Sequence, residues 1–243
     1  MYTIDDIKVT LLNAEEVKDF IRRHGEVACV CYNTNEKYAE KVGKSCMIEG
    51  HMSGSRGDFF KFEIECPRFT IDQIVRHEQG VFKNVQSQRY VDMDDDFSIY
   101  VPPKVVNNPI LVEQYIQYEE MCKAQYKINR ACFNDLNITG EQANDLMRTM
   151  LPIGVKSKVR IGFTLEALIH FMHKRLCVRA DEPIRRVAKL MKEEVLKVQP
   201  EYAELLVPQC EDMMYCPEKN SCHKYPNKKE LKEIIELGKG KDD

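Results

Sequence analysis

The chain has 243 residues, 43% of them hydrophobic and 31% charged, with a formal net charge of −3, so it can bury one large core or two small ones and is too nearly neutral for wholesale nucleic-acid binding. No apolar run reaches the roughly 18 residues that cross a bilayer, and Met1-Tyr2-Thr3-Ile4-Asp5-Asp6 lacks the basic start and apolar core of a signal peptide, which predicts a cytoplasmic protein with no membrane partner. Ten scattered cysteines then read as free, mostly buried thiols, and the lack of GxGxxG or GxxxxGK[ST] loops leaves a dinucleotide-binding unit or P-loop unsupported.

Ile7 to Leu12 has the pattern of a strand with Ile7, Val9 and Leu11 on one face, and Asn13 is placed to cap a short helix to Arg23 with Val17, Phe20 and Ile21 inward. Ala28-Cys29-Val30-Cys31-Tyr32 is a compact apolar run in which Cys29 and Cys31 alternate as in a core strand. Glu36 to Glu49 is expected to be helical, stopped by Gly50, with His51 just beyond. Phe60, Phe62, Ile64 and Cys66 alternate with Lys61, Glu63 and Glu65, the period-two pattern of a strand with one buried face, which Pro67 ends.

Thr70 followed by Gln73 has capping-box spacing, predicting a helix from Thr70 to Glu78 on which Gln73, Arg76 and His77 stand at i, i+3 and i+4 and share a face. A little further on, Ser87, Gln88 and Arg89 supply a hydroxyl, an amide and a guanidinium. Such donors suit a phosphate and a pyrimidine edge, since Arg offers a planar fork and Ser and Gln both donate and accept. A solvated polar helix and loop is the plainer alternative.

Asp92-Met93-Asp94-Asp95-Asp96 reads as a solvated loop, too short a run to cage a metal alone, before a strand at Phe97 to Val101 closed by Pro102-Pro103. Pro109 opens a long helix ending near Asn134 to Asn137, with Leu111, Tyr115, Cys122 and Tyr126 on one face. Thr139-Gly140-Glu141-Gln142 caps another, with Ala143, Leu146, Met147 and Met150 inward. Thr164 to Leu176 is helical in spacing, and Ile184, Val187, Ala188, Met191 and Val195 form a stripe on a helix begun near Pro183.

The tail carries Cys210, Cys216, Cys222 and His223, four candidate zinc ligands that lack the CxxC knuckle, so a disulfide or plain packing stands beside a structural metal. The expected organisation is a single domain over residues 1–226 and a charged, flexible tail over residues 227–243.

These residues resemble the flavin-dependent thymidylate synthases, often called ThyX. Gln73, Arg76 and His77, then Ser87-Gln88-Arg89-Tyr90-Val91-Asp92, follow that family's Q-x-x-R-H-R and SQRYVD elements. Val30-Cys31-Tyr32-Asn33 is similar to its VCYN, and Gly50-His51-Met52-Ser53 to its GHES. Arg148-Thr149-Met150-Leu151-Pro152 resembles its R-x-x-L-P, and the run from His170 to Ala180, with Arg175 and Arg179, resembles its HFxxLRxCNRA. The likeness runs in order over most of residues 28–222, tail included.

The resemblance implies an α+β fold with a mixed sheet backed by helices, a largely helical C-terminal half, and a homotetramer with active sites between subunits. It implies transfer of a one-carbon group from methylenetetrahydrofolate to carbon 5 of dUMP or a related pyrimidine deoxynucleotide, with FAD as cofactor and NADPH as reductant. Substrate would fall to Gln73, Arg76, Ser87, Gln88, Arg89, Arg148 and Arg175, with Ser87 and Arg175 catalytic. Cofactor would fall to His51, Ser53, Arg76, His77, Glu78 and Arg179, the last four residues beyond Arg175 on the same helical face. Departures gather at the flavin positions: Glu78 replaces the second Arg of R-H-R, Met52, Arg56 and Gly57 stand in the H-E-x-x-x-E-H element, and Glu166 stands where the family has Arg. Arg56 is expected to pair with one of these glutamates. The alternatives are a pyrimidine-modifying enzyme of altered cofactor or substrate, and a non-catalytic nucleotide-binding homologue on the same scaffold.

Overall fold

The computed structural model describes residues 7–93 and 97–239, so the leader reading at residues 1–6 and the centre of the acidic run at residues 94–96 lie outside the described residues. In chain order the elements begin β1 (Lys8–Leu11), α1 (Ala14–Val17), α2 (Phe20–Tyr32), α3 (Ala39–Ile48), β2 (Phe60–Pro67), α4 (Arg68–Ile74) and β3 (Val81–Val85). They continue with α5 (Pro103–Val106), α6 (Pro109–Asp135), α7 (Gly140–Met147), β4 (Lys156–Phe163) and α8 (Leu165–Arg175). The last are α9 (Glu182–Val198), α10 (Gln209–Asp212) and α11 (Lys228–Lys239).

Sheet and helices together make the α+β class that the sequence predicts. The strand order is β1-β2-β4-β3, and the pairings are antiparallel rather than mixed. β2 is the clearest case of sequence becoming structure: Phe60, Phe62, Ile64 and Cys66 are all at most 1% exposed, while Lys61, Glu63 and Glu65 between them stay half-exposed.

The chain divides into two compact units. The first is chiefly Glu63–Arg76 and Lys83–Ile161. Its core gathers Phe97, Ile99, Tyr126, Met147 and Val155. Phe97 to Val101 is not a strand: only Ile99 bridges, to Val155, and Glu119 Oε2 accepts from Ile99 N at 2.9 Å. The Phe97 segment therefore finds its backbone partners piecemeal, from a side chain and one bridge. Of the expected inward stripe on α6 only Tyr126 is buried, with Glu119 the other buried residue of that helix. Leu146 and Met150 likewise face outward, leaving Ala143 and Met147 as the inward residues of that stripe.

α4 begins at Arg68, not Thr70, so no capping box forms. Arg68 N donates to Val155 O (2.9 Å) and Phe69 N to Ile153 O (3.3 Å), which satisfies amides of the first turn through backbone instead. The helix also stops at Ile74, and Arg76 and His77 lie in the turn that leads to β3, so Gln73, Arg76 and His77 do not share a helical face.

The second unit comprises Val9–Phe62, His77–Phe82 and the chain from Gly162 onward. The run Ala28 to Tyr32 belongs to helix α2, not to a strand, which leaves Cys29 buried and Cys31 exposed. Two glycines bring α2 and α3 together: a Cβ on Gly25 would stand 1.7 Å from Ala39 O, and one on Gly43 2.0 Å from Ile21 O. α9 buries Ile184, Val187, Ala188, Met191 and Val195, as its stripe predicts. α11 is a charged helix whose start is fixed by Asn227 Oδ1, which accepts from Lys229 N and Glu230 N at 2.9 and 3.0 Å.

Asn13 makes no side-chain cap. It reaches β2 instead, its Nδ2 donating to Phe59 O at 2.9 Å and its Oδ1 accepting from Lys61 N at 3.0 Å. Asn13→Ala should therefore lower the unfolding free energy in urea by about 2 kcal/mol, because two backbone groups lose their partner. Cys66 is wholly buried and its thiol is pushed up to about 12, by burial first and then by Glu65. Iodoacetamide at pH 8 should label the exposed Cys31 and Cys132 on the native chain and Cys66 only in denaturant, read by mass spectrometry.

Candidate functional site

In the first unit the residues after β3 turn back on themselves. Arg89 N donates to Ser87 Oγ at 3.2 Å and Val91 N to Ser87 O at 3.2 Å, so the serine shapes the bend that presents Gln88 and Arg89. The Arg89 guanidinium is ion-paired to Glu141, and its Nε lies 3.4 Å from Asp145 Oδ1. Arg148 Nη2 stands 2.8 Å from that same Asp145 oxygen. Two of the predicted phosphate ligands, nearly sixty residues apart in sequence, are thus held together by one carboxylate of α7. Gln73 is half-buried in the last turn of α4, and Arg76 is exposed.

Local reading of the sequence missed Arg130. On α6 it pairs with Asp92 and donates to Tyr126 Oη at 2.9 Å and Asn144 Oδ1 at 2.8 Å, fastening the end of the Ser87 to Asp92 segment to two helices. The only local signal is that Tyr126 and Arg130 stand one helical turn apart.

In the second unit Arg175 Nε donates to His77 Nε2 at 3.1 Å. A guanidinium can only donate, so the His77 ring nitrogen is the acceptor in this bond. Its ring packs edge-on against Phe171 at 4.9 Å and His170 at 6.0 Å, which explains why His77 leaves the line of α4. Glu78 is exposed beside it.

His51 follows α3, with Nδ1 3.1 Å from the Tyr32 hydroxyl, and its carbonyl accepts from the buried His24 Nε2 at 2.8 Å. Ser53 opens the short turn that leads to Arg56. Arg56 Nε and Nη2 donate to the two oxygens of Glu166 at 3.0 and 3.2 Å, a fork-on-fork pair and the partner expected for it. The carboxylate at Glu166 is accordingly neutralised locally, rather than left to face an incoming anion. Arg179 does not share a helical face with Arg175, because α8 ends at Arg175; its Nη1 donates to Asn220 O at 3.1 Å. Cys210, Cys216, Cys222 and His223 do not converge as one set, and among the described residues no three His, Cys, Asp or Glu side chains gather as one metal ion requires.

The profile of the family described as "Thymidylate synthase complementing protein" matches residues 15–201. A flavin-dependent thymidylate synthase of Nitratidesulfovibrio vulgaris is 34% identical over 185 residues, 75% of each chain. One from Pyrococcus furiosus is 33% identical over 197 residues, 76% of each chain. Among solved structures, a UMP/dUMP methylase from Streptomyces cacaoi bound with 5-Br dUMP aligns at a TM-score of 0.61 and 18% identity, covering 82% of this chain and 94% of that one, which is a likeness of fold.

Reversing one member of the Arg56–Glu166 pair should matter more than reversing both. Arg56→Glu and Glu166→Arg are each expected to lower the melting temperature, and the double variant to recover most of the loss, by differential scanning fluorimetry at low salt.

Proposed function

The chain belongs to the flavin-dependent thymidylate synthase family, the thymidylate synthase complementing proteins, and from that premise we propose that it transfers a one-carbon group from methylenetetrahydrofolate to carbon 5 of dUMP or a related pyrimidine deoxynucleotide. The observation that carries the reading is the joining of Arg89 and Arg148 on Asp145 beside the Ser87 bend. Glu141 and Asp145 keep the two guanidiniums oriented until a doubly charged phosphate replaces them, which favours a dianion over a neutral nucleoside. That the Streptomyces cacaoi methylase of similar fold is bound with 5-Br dUMP supports a pyrimidine nucleotide as the ligand.

The substrate set is Gln73, Arg76, Ser87, Gln88, Arg89, Arg148 and Arg175. Arg175 is oriented by its bond to His77 and polarises a uracil carbonyl, and Ser87 donates to the base. The flavin-dependent relatives imply a flavin. His51, Ser53, Arg76 and His77 offer donors that fit one, and the Arg56–Glu166 fork offsets the charge of Glu166, while Glu78, an exposed carboxylate that can only accept, is poorly suited to the cofactor role expected for it. Arg179, committed to the Asn220 carbonyl, is the least suited of the expected cofactor residues. When bound and reduced by NADPH, the flavin would supply the reducing electrons.

No helix among the described residues is long and apolar enough to cross a membrane. The expected homotetramer would cover the apolar side chains that α6 leaves open, Ile110 at 72%, Met121 at 60% and Ile128 at 57% exposure.

With flavin, NADPH and methylenetetrahydrofolate supplied, the protein should release tritium from carbon-5-labelled dUMP; release from dCMP alone would change the substrate, and release from neither would leave only a nucleotide-binding role. Arg89→Ala should weaken dUMP binding by about 2 kcal/mol in calorimetry. Unchanged affinity would remove the phosphate from this site.

A further inference from the structure

A second site lies away from the nucleotide residues, in the second unit, where a cavity of about 80 Å³ opens between the end of α8 and the chain after α9. Four thiols line it: Cys177 just past α8, Cys210 on α10, and Cys216 and Cys222 in the irregular segment that follows. All four are free, running from buried Cys216 to exposed Cys222 at the mouth. The sequence had grouped Cys210, Cys216 and Cys222 with His223. The fold puts Cys177, distant in sequence, in that fourth place, and His223 is not among the lining residues.

Four cysteines around one cavity make a set of soft ligands, and once deprotonated such a set needs a positive centre to offset its charge. Cations stand ready around it: Arg179 and Lys224 line the same cavity against a single carboxylate, Glu218. Arg179 is held there by the Asn220 carbonyl, and Lys224 by Glu211 at 3.3 Å.

The segment is held by scattered hydrogen bonds and ion pairs rather than by regular structure. Its backbone turns through the left-handed region at two non-glycine residues, Met214 (φ 56°) and His223 (φ 61°), and one isolated bridge, Cys216 to Asn227, ties it down. A single zinc ion would need thiolates drawn to about 2.3 Å from one point, and no three ligand side chains among the described residues meet that way. A larger inorganic core, with each cysteine at its periphery, suits four thiols spread around a cavity walled by Leu176 and Pro217.

We propose that Cys177, Cys210, Cys216 and Cys222 are the ligands of an iron–sulfur cluster, with Arg179 and Lys224 offsetting its net negative charge. The cluster staples the chain after α9 onto the end of α8, a role independent of the nucleotide reaction.

The test is chemical analysis of the protein after anaerobic treatment with sulfide and a mixture of ferrous and ferric iron, which supplies the oxidation states a cluster holds, followed by desalting. The expected result is about two to four irons per chain with as much acid-labile sulfide. Cys222→Ala, a change at the surface that leaves the core intact, should lose more than half of both, and Cys132→Ala on α6 should lose neither. Iron and sulfide near zero in the wild type would overturn the proposal, as would stoichiometric zinc in their place or equal retention by Cys222→Ala and Cys132→Ala. Measuring iron and sulfide directly keeps the answer separate from any flavin absorbance and from dUMP turnover.

Discussion

The backbone ladder between β2 and β4 governs more of the first unit than any side-chain contact. It runs on past the strands, with Arg68 and Phe69 donating to the carbonyls of Val155 and Ile153. Because those amides are spent on the neighbouring chain, α4 starts two residues before the capping-box spacing suggests, and it ends at Ile74. That early end releases Arg76 and His77 into a turn. The same stretch brings Gly154 O to Tyr100 N at 3.0 Å, which is how the Phe97 to Val101 segment is held without becoming a strand. Local spacing loses here to a hydrogen-bond ladder already in place, as it must when unpaired buried amides cost more than a side-chain cap returns.

What the sequence made legible follows from that contest. Patterns that report burial directly came through: the period-two β2, the stripe of α9 and the glycine stop after α3. Readings that depended on who satisfies a polar group did not. Asn13 spends its amide on β2, and Thr70 lies buried inside a helix it was expected to cap. Ala28 to Tyr32 carries no periodicity long enough to tell a strand from part of α2, which shows only when Phe20 to Tyr32 is taken whole.

The candidate site divides the same way. The family's ordered elements point to Arg89 and Arg148, but not to the acids that pair with them. Glu141 and Asp145 look like ordinary helix-surface residues until the fold sets them against Arg89 and Arg148. Arg56 was expected to pair with Glu78 or Glu166, and the fork it makes with Glu166 selects between them. A fork between partners of opposite sign keeps the local charge sum near zero, so Glu166 is not a bare carboxylate.

The two glycines between α2 and α3 carry a consequence for motion. With no side chain separating Gly25 from Ala39 or Gly43 from Ile21, the helices touch backbone to backbone and cannot slide or roll past one another without collision. Tyr32 ends one of them and His51 follows the other, so the bond between the two residues closes the far end of a stiff two-helix lever. Any displacement of the helix pair has to carry both helices as one body. Such a displacement would then belong to the microsecond-to-millisecond range of collective motions, far slower than the rotamer flip of an exposed imidazole.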